Sequence, residues 1–188
     1  MSKQQNSQPT DDSNEQDCSR LLTQEQKESA KIFLIDDEPI ILEIFSVYLA
    51  EAGFSNIFAF SDSVEAIETL RFVTPSIILT DINMPEVSGK FLIKLIRTFE
   101  HLRTIPIVAV TSNTEEAEQE AIIRNGADSI VHKPVDAKKL TDAVLLTLEG
   151  SFRLKNQITE AEQREQHRME QKKAALISFE SNLRDLMR

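Results

Sequence analysis

The sequence predicts an α/β protein: an open parallel sheet with helices on both faces. Three observations lead there. Apolar runs of only four to six residues, rich in Ile, Val and Phe, alternate with segments of helical periodicity across residues 31–150. The runs are continuously apolar, as strands covered on both faces are. Four of them end in polar motifs: Ile35-Asp36-Asp37, Leu79-Thr80-Asp81, Val110-Thr111-Ser112 and Val131-His132-Lys133-Pro134. A helical bundle, the main competitor, would need longer apolar segments with fewer β-branched residues.

Five βα units follow in order. Lys31–Ile35 is the first strand. Pro39–Ala52 carries Ile40, Ile44, Val47, Tyr48 and Ala52 at helical spacing, and Gly53 supplies the stop. Asn56–Phe60 is the second strand, followed by a helix over Asp62–Phe72 with Asp62 and Glu65 in capping-box positions. Ser76–Thr80 is the third strand. A loop with Pro85 and Gly89 leads into a helix from Ser88 to Glu100. Ile105–Val110 is the fourth strand, and its helix runs Thr114–Arg124 before Asn125-Gly126. Ser129–Val131 and a helix over Asp136–Leu148 complete the set. Strict alternation of this kind builds a parallel sheet with helices on both sides.

Three regions divide the chain. Residues 1–30 are rich in Gln, Ser, Asn and Asp and lack apolar periodicity before Leu21-Leu22. They bury too little to offset their ordering entropy and are expected to form a mostly disordered tail, with one helical turn near residues 21–29. Residues 31–150 are the α/β domain. Residues 151–188 hold no Pro or Gly and are dominated by helix formers.

Composition narrows the function. The formal net charge of −10 repels a phosphate backbone, and no dense basic run offsets it, so nucleic acid is not an expected partner. No run approaches the ~18 apolar residues of a membrane span. The N-terminus lacks the apolar stretch of a signal sequence. A soluble cytoplasmic protein is expected. Cys18, the single cysteine, has no metal-ligand spacing around it and is expected to be an inert thiol.

In an open α/β sheet the carboxyl ends of the strands converge on one crevice. Asp36, Asp37, Asp81, Thr111 and Lys133 should therefore meet at one edge. Carboxylates about 4 Å apart repel by roughly 4 kcal/mol at an effective dielectric of 20. A hard divalent cation relieves this, and Mg²⁺ suits it because it accepts a few carboxylates and keeps several waters. Lys133 and Thr111 would supply a point charge and a hydroxyl to an incoming phosphoryl group. Taken singly, each residue has a plainer reading: a helix cap for Asp36-Asp37 or Thr111, a turn for Asp81, a solvated surface for Lys133. The coincidence of all four motifs at one end of successive strands weighs against those.

The motif set resembles the receiver domain of two-component response regulators. The family pattern is an acidic pair, a phosphoacceptor Asp, a Thr or Ser and a Lys-Pro, each after a strand. Asp36-Asp37, Asp81, Thr111 and Lys133-Pro134 match it, as does the loop Asp81-Ile82-Asn83-Met84-Pro85 with Gly89 following. The resemblance covers about residues 31–150. It implies a flavodoxin-like (βα)5 sheet of order 2-1-3-4-5. It also implies phosphorylation of Asp81 by a phosphohistidine in a sensor histidine kinase or phosphotransfer protein. Mg²⁺ would sit on Asp37, Asp81 and the backbone carbonyl of Asn83, with Asp36 acting mainly through water. Thr111 and Lys133 would grip the phosphoryl group, and Lys133-Pro134 would be cis. Asn83 and Asn113 would flank the phosphoryl group and bear on its hydrolysis. Such a protein catalyses only its own phosphorylation and dephosphorylation. One departure stands out: Ile130 lies where the family carries Tyr or Phe, three residues before the lysine. Isoleucine can report a Thr111 movement only by packing. Either the output through the last two receiver helices and the fifth strand is weaker, or it takes another route.

The histidines are expected to be structural: His132 packed in the fifth strand, His101 before the fourth, His167 on a solvated helix face. In the C-terminal region, Leu154, Ile158, Ala161 and Glu165 follow 4-3-4 spacing, and Leu176, Phe179, Leu183 and Leu186 follow 3-4-3. This predicts an amphipathic helix, paired with another chain as a coiled coil or folded back on the receiver, with a stutter around Arg168, Met169 and Lys172. Glu149-Gly150-Ser151 is read as a kink or hinge before it. Two functions are then open. One is a phosphorylation switch that signals through protein–protein contacts, with residues 151–188 as dimer or partner interface. The other is a receiver and signalling helix belonging to a larger regulator with an enzymatic output domain.

Overall fold

The computed structural model describes residues 22–186, with side chains through residue 174. Strands β1 (Lys31–Ile35), β2 (Asn56–Phe60), β3 (Ile77–Asp81), β4 (Ile107–Thr111) and β5 (Ser129–His132) form one sheet in the order β2-β1-β3-β4-β5. Every pairing is parallel. The expected order is the observed one. The helices are α1 (Gln24–Ser29), α2 (Pro39–Glu51), α3 (Ser63–Leu70), α4 (Gly89–Ile96), α5 (Glu116–Arg124) and α6 (Ala137–Leu186), with a 3₁₀ turn over Glu100–Leu102.

Strand alternation sorts the core into two layers. Ile32 and Leu34 of β1 join Leu42, Phe45 and Leu49 of α2 and Leu140, Val144, Leu145 and Leu148 of α6 on one face. Phe33 and Ile35 join residues of α3, α4 and α5 on the other, among them Leu70, Leu92 and Ile122. Each fully buried aliphatic or aromatic side chain contributes about 1.5–3 kcal/mol, so both layers are needed to hold the sheet edge in place.

The N-terminal boundary differs from expectation. Residues 1–21 of the polar segment lie outside the described residues. Residues 22–30 pack on the domain instead of forming tail. Thr23 and Gln26 make a capping box that starts α1. Leu22 is buried in the first core layer, and Lys27 Nζ donates to the Ala52 carbonyl at 3.2 Å. One buried leucine and one anchored lysine suffice, and neither produces periodicity in sequence.

Strand and helix ends shift for local reasons. Pro106 has no N–H to give a ladder, so β4 begins at Ile107 and runs to Thr111, while β3 runs to Asp81. The two polar residues thus close their strands instead of following them. Helix α4 stops at Ile96, four residues earlier than expected. Arg97 explains the stop. Its guanidinium donates to the carbonyls of Ile105 at 2.7 Å and Gly126 at 2.6 and 2.9 Å, and pairs with Asp128 at 2.8 Å. Asp128 in turn accepts from the Ile107 N–H at 2.8 Å. This one side chain ties α4 to the starts of β4 and β5.

The hinge expected at Glu149-Gly150-Ser151 does not form. Helix α6 is continuous from Ala137 to Leu186, 50 residues. A helical glycine costs about 1 kcal/mol relative to alanine, too little to break a helix flanked by strong formers. The Glu149–Arg153 ion pair spans the position, and Phe152 still packs against the first core layer.

Leu22→Ala should lower stability by about 2–3 kcal/mol, the cost of a core truncation. Urea unfolding of the full chain checks this. A change near zero would return residues 22–30 to the tail.

Candidate functional site

The sheet order sets β1 beside β3, β3 beside β4 and β4 beside β5. In register, Ile35 faces Thr80, Asp81 faces Val110, and Thr111 faces His132. The residues that close these strands or follow them therefore fall together: Asp36, Asp81, Thr111 and Lys133. Asp36, Asp81 and Thr111 are all buried.

Lys133 is the bridge. Its ammonium lies 2.8 Å from Asp81 Oδ1 and 3.1 Å from Asp36 Oδ2, with Glu38 Oε1 at 3.9 Å. The Lys133–Pro134 bond is cis. The second oxygen of each buried carboxylate is also held. Asp36 Oδ1 accepts from the Glu38 N–H at 2.9 Å, and Asp81 Oδ2 accepts from the Asn83 N–H at 2.7 Å. Thr111 Oγ1 accepts from the Asn113 N–H at 3.1 Å, and Asn113 Oδ1 accepts from the Glu115 N–H at 2.8 Å. Asn113 thus shapes the turn into α5. Ile130 is partly buried against the second core layer.

The electrostatics carry a net negative balance. Burial pushes the Asp36 carboxyl above its usual value, and its bonds to the Glu38 N–H and Lys133 offset this only in part. Burial alone would lower Lys133, yet its bonds to Asp81 and Asp36 outweigh that and hold it above the ordinary lysine value. Asp37 is half-buried and opens onto a cleft of about 190 Å³ with Ser61, Asp62, Met84 and Glu86. Three aspartates and Glu38 against one lysine leave a deficit of positive charge that a divalent cation fits. The donors are hard oxygens, as Mg²⁺ and Ca²⁺ prefer. Among the described residues no group of three or more His, Cys, Asp or Glu is placed to hold a metal ion, so a cation at Asp36 and Asp81 would take the rest of its shell from elsewhere, and Mg²⁺ keeps several waters.

Two supporting residues escaped sequence reasoning or were only half seen. Gly89 opens α4 directly against Asp81: a Cβ there would lie 2.0 Å from the Asp81 carbonyl oxygen. Only glycine lets α4 abut the end of β3. Glu86, in the same loop, has φ of 61°, a conformation costly for a residue with a Cβ. The histidines behave as structural. His101 Nε2 meets the Leu70 carbonyl at 2.9 Å. His132 sits beside Thr111, and its Nδ1 is buried with no hydrogen-bond partner among the described residues.

Residues 32–145 match the response regulator receiver domain family model, more than half of the chain, and the protein belongs to that family. The polar-differentiation response regulator DivK of Brucella abortus is 28% identical over 113 residues, 60% of this chain and 91% of DivK. The receiver domain of a signal transduction histidine kinase from Syntrophus aciditrophicus superposes with TM-score 0.60 at 27% identity, covering 65% of this chain and 92% of that one. The receiver domain of a sensor histidine kinase from Pseudomonas aeruginosa, solved with magnesium in its active-site cleft, shares the fold at TM-score 0.58 and 24% identity, over 64% of this chain and 98% of that one. No helix among the described residues is long and apolar enough to cross a membrane.

Because the folded Asp36 titrates above its unfolded value of 3.8, its contribution to stability is whole below that pH and is lost as pH rises through the folded value. At neutral pH its charge opposes folding. Asp36→Asn should therefore raise the melting temperature of the metal-free protein at pH 7, and the gain should vanish as pH falls toward 3.8. Calorimetry across that range tests the sign.

Proposed function

We propose that this chain is a phosphorylation switch. Asp81 accepts a phosphoryl group from a phosphohistidine of a sensor kinase or phosphotransfer protein. The observation that carries this reading is the Lys133 ammonium held against Asp81 Oδ1 at 2.8 Å, at the edge where β1, β3 and β4 end. Family membership supports the same assignment.

The chemistry follows from the residues. The N–P bond of the donor histidine breaks as an Oδ–P bond to Asp81 forms, and the imidazole leaves with the electron pair. Charge spreads over the equatorial oxygens of the transferring group, so the work is placement and neutralisation. Lys133 moves little, because the acceptor carboxylate already holds it, and it meets one equatorial oxygen. Thr111, closing β4, offers its hydroxyl to another. Asp37, Asp81 and the Asn83 carbonyl would hold Mg²⁺, with Asp36 acting through a coordinated water. The cation would supply the remaining neutralisation. Asn83 and Asn113 lie on the loops flanking the group and would bear on attack by water. The catalysis is confined to the protein's own phosphorylation and dephosphorylation, in the cytoplasm.

Output would be through protein–protein contact. Displacement of Thr111 biases β5 and α5, with Ile130 transmitting by packing alone. Residues 151–188, which include the part of α6 beyond the receiver, would serve as a dimerisation or partner interface. From residue 153 through 174 every described side chain on it is exposed, including Leu154, Ile158 and Met169. A stripe of that kind needs cover.

Incubation with a small-molecule phosphodonor and Mg²⁺ should add one phosphoryl group to the parent, seen by intact-mass spectrometry, and none to Asp81→Asn. Equal labelling of the two would sink the assignment. Lys133→Gln should keep Mg²⁺ binding yet slow labelling by about 10²-fold or more, the usual cost of losing one transition-state charge contact.

A further inference from the structure

We propose that α6 pairs with α6 of a second copy in antiparallel orientation, centred between Arg168 and Met169. This rests on the reading above that residues 151–188 pair with another helix. What it adds is the partner and its direction.

The seam is palindromic. From Leu154 the steps to Ile158, Ala161 and Glu165 are 4, 3 and 4. Backward from Leu183 the steps to Phe179, Leu176 and Lys172 are also 4, 3 and 4. Helix α6 is unbroken across both halves. Glu165, Arg168, Met169 and Lys172 line one shallow groove on it, so the middle of the seam is a single face. The stutter of the heptad falls at this centre, where a two-fold axis would reverse the pattern in any case.

Antiparallel pairing about that point sets like with like where apolar and opposite with opposite where charged. By register, position 154 falls opposite the partner's Leu183, position 158 opposite the partner's Phe179, and position 161 opposite the partner's Leu176, apolar residue types throughout. Glu165 meets the partner's Lys172. Arg168 lies over the partner's Met169, its aliphatic stem on the thioether and its head in water. The flanking positions agree. Lys155 falls beside the partner's Glu180, and Glu162 beside the partner's Lys173, each pair repeated by the two-fold axis. Such flanking charges set orientation in coiled coils.

A parallel pair fails on the same residues. It stacks Glu165 on its own copy, then Arg168 on Arg168, then Lys172 on Lys172, three like-charged layers inside the seam. Its flanking pairs are Gln157 with Glu162 and Arg164 with Met169, which attract little. Like charges facing in an interface cost several kcal/mol, whereas the antiparallel register removes every such layer. The seam also continues toward the receiver. Leu154, about half exposed, lines a groove with Gly150 at the foot of the domain, close to where the end of the partner's α6 falls in this register.

Disulfide trapping on a Cys18→Ser background of the full chain tests orientation. Arg168→Cys should cross-link to itself. Ala161→Cys alone should not, because two copies would lie about 22 Å apart along the antiparallel axis, far beyond disulfide reach. A mixture of Ala161→Cys and Leu176→Cys chains should cross-link. Glu165→Lys or Lys172→Glu alone should raise the dimer dissociation constant about tenfold or more, and the double variant should restore it. Self-linking of Ala161→Cys, or single charge reversals without effect, would overturn the antiparallel register while leaving pairing intact. A monomeric mass for the parent in sedimentation would remove the pairing itself.

Discussion

One ammonium between two buried carboxylates organises this molecule. Lys133 sits at the end of β5 and reaches Asp81 at the end of β3 and Asp36 after β1. Burying Asp36 and Asp81 side by side costs several kcal/mol unless a positive group lies within hydrogen-bond distance. The sheet order therefore has a chemical counterpart: the strand edge is stable because the lysine is there, and the lysine is charged because the aspartates are. Neutralisation remains incomplete: Asp37 and Glu38 add two more carboxylates, and the same lysine reaches Glu38 only at 3.9 Å. The same deficit that makes the edge uneasy makes it receptive to a cation.

The neighbourhood is built for close approach. Gly89 lets the first turn of α4 touch the backbone of Asp81, and the Asn83 N–H holds one oxygen of that carboxylate. The loop between them bends through Glu86 in the left-handed region. The Asp81 carboxylate is thereby oriented by backbone, and its other oxygen is the one that Lys133 holds at 2.8 Å. Thr111 is fixed similarly, its oxygen bonded to the Asn113 N–H two residues on. Movement of Thr111 is thus tied to the turn that starts α5. This gives a route to that helix independent of any aromatic at Ile130.

Much of this was legible in the chain. The bounds of β1 and β2 were readable to the residue, since apolar runs between turn residues admit few alternatives. The polar motifs marked the right edge because strand ends in a parallel sheet share one direction. Three things were hidden. The turn of α1 was read near residues 21–29, but its packing on the domain was not, because it rests on one buried leucine and one anchored lysine, below the threshold of any periodicity. The end of α4 depends on Arg97, whose acceptors are carbonyls far off in sequence. Gly150 looked like a hinge because glycine weakens a helix, but one weak position inside a cooperative element does not interrupt it. The net charge deficit at Asp37 was foreseeable from residue types; the contribution of Glu38 was not.

An uninterrupted α6 has a mechanical corollary. Its first turns are gripped by the core through Leu140, Val144 and Leu148, while its last turns lie roughly 50 Å farther along. A rod of that length magnifies tilt: roughly 5° at the root sweeps the tip sideways by about 4–5 Å. A repacking too small to alter the domain's outline would then be felt at the tip as a sideways displacement.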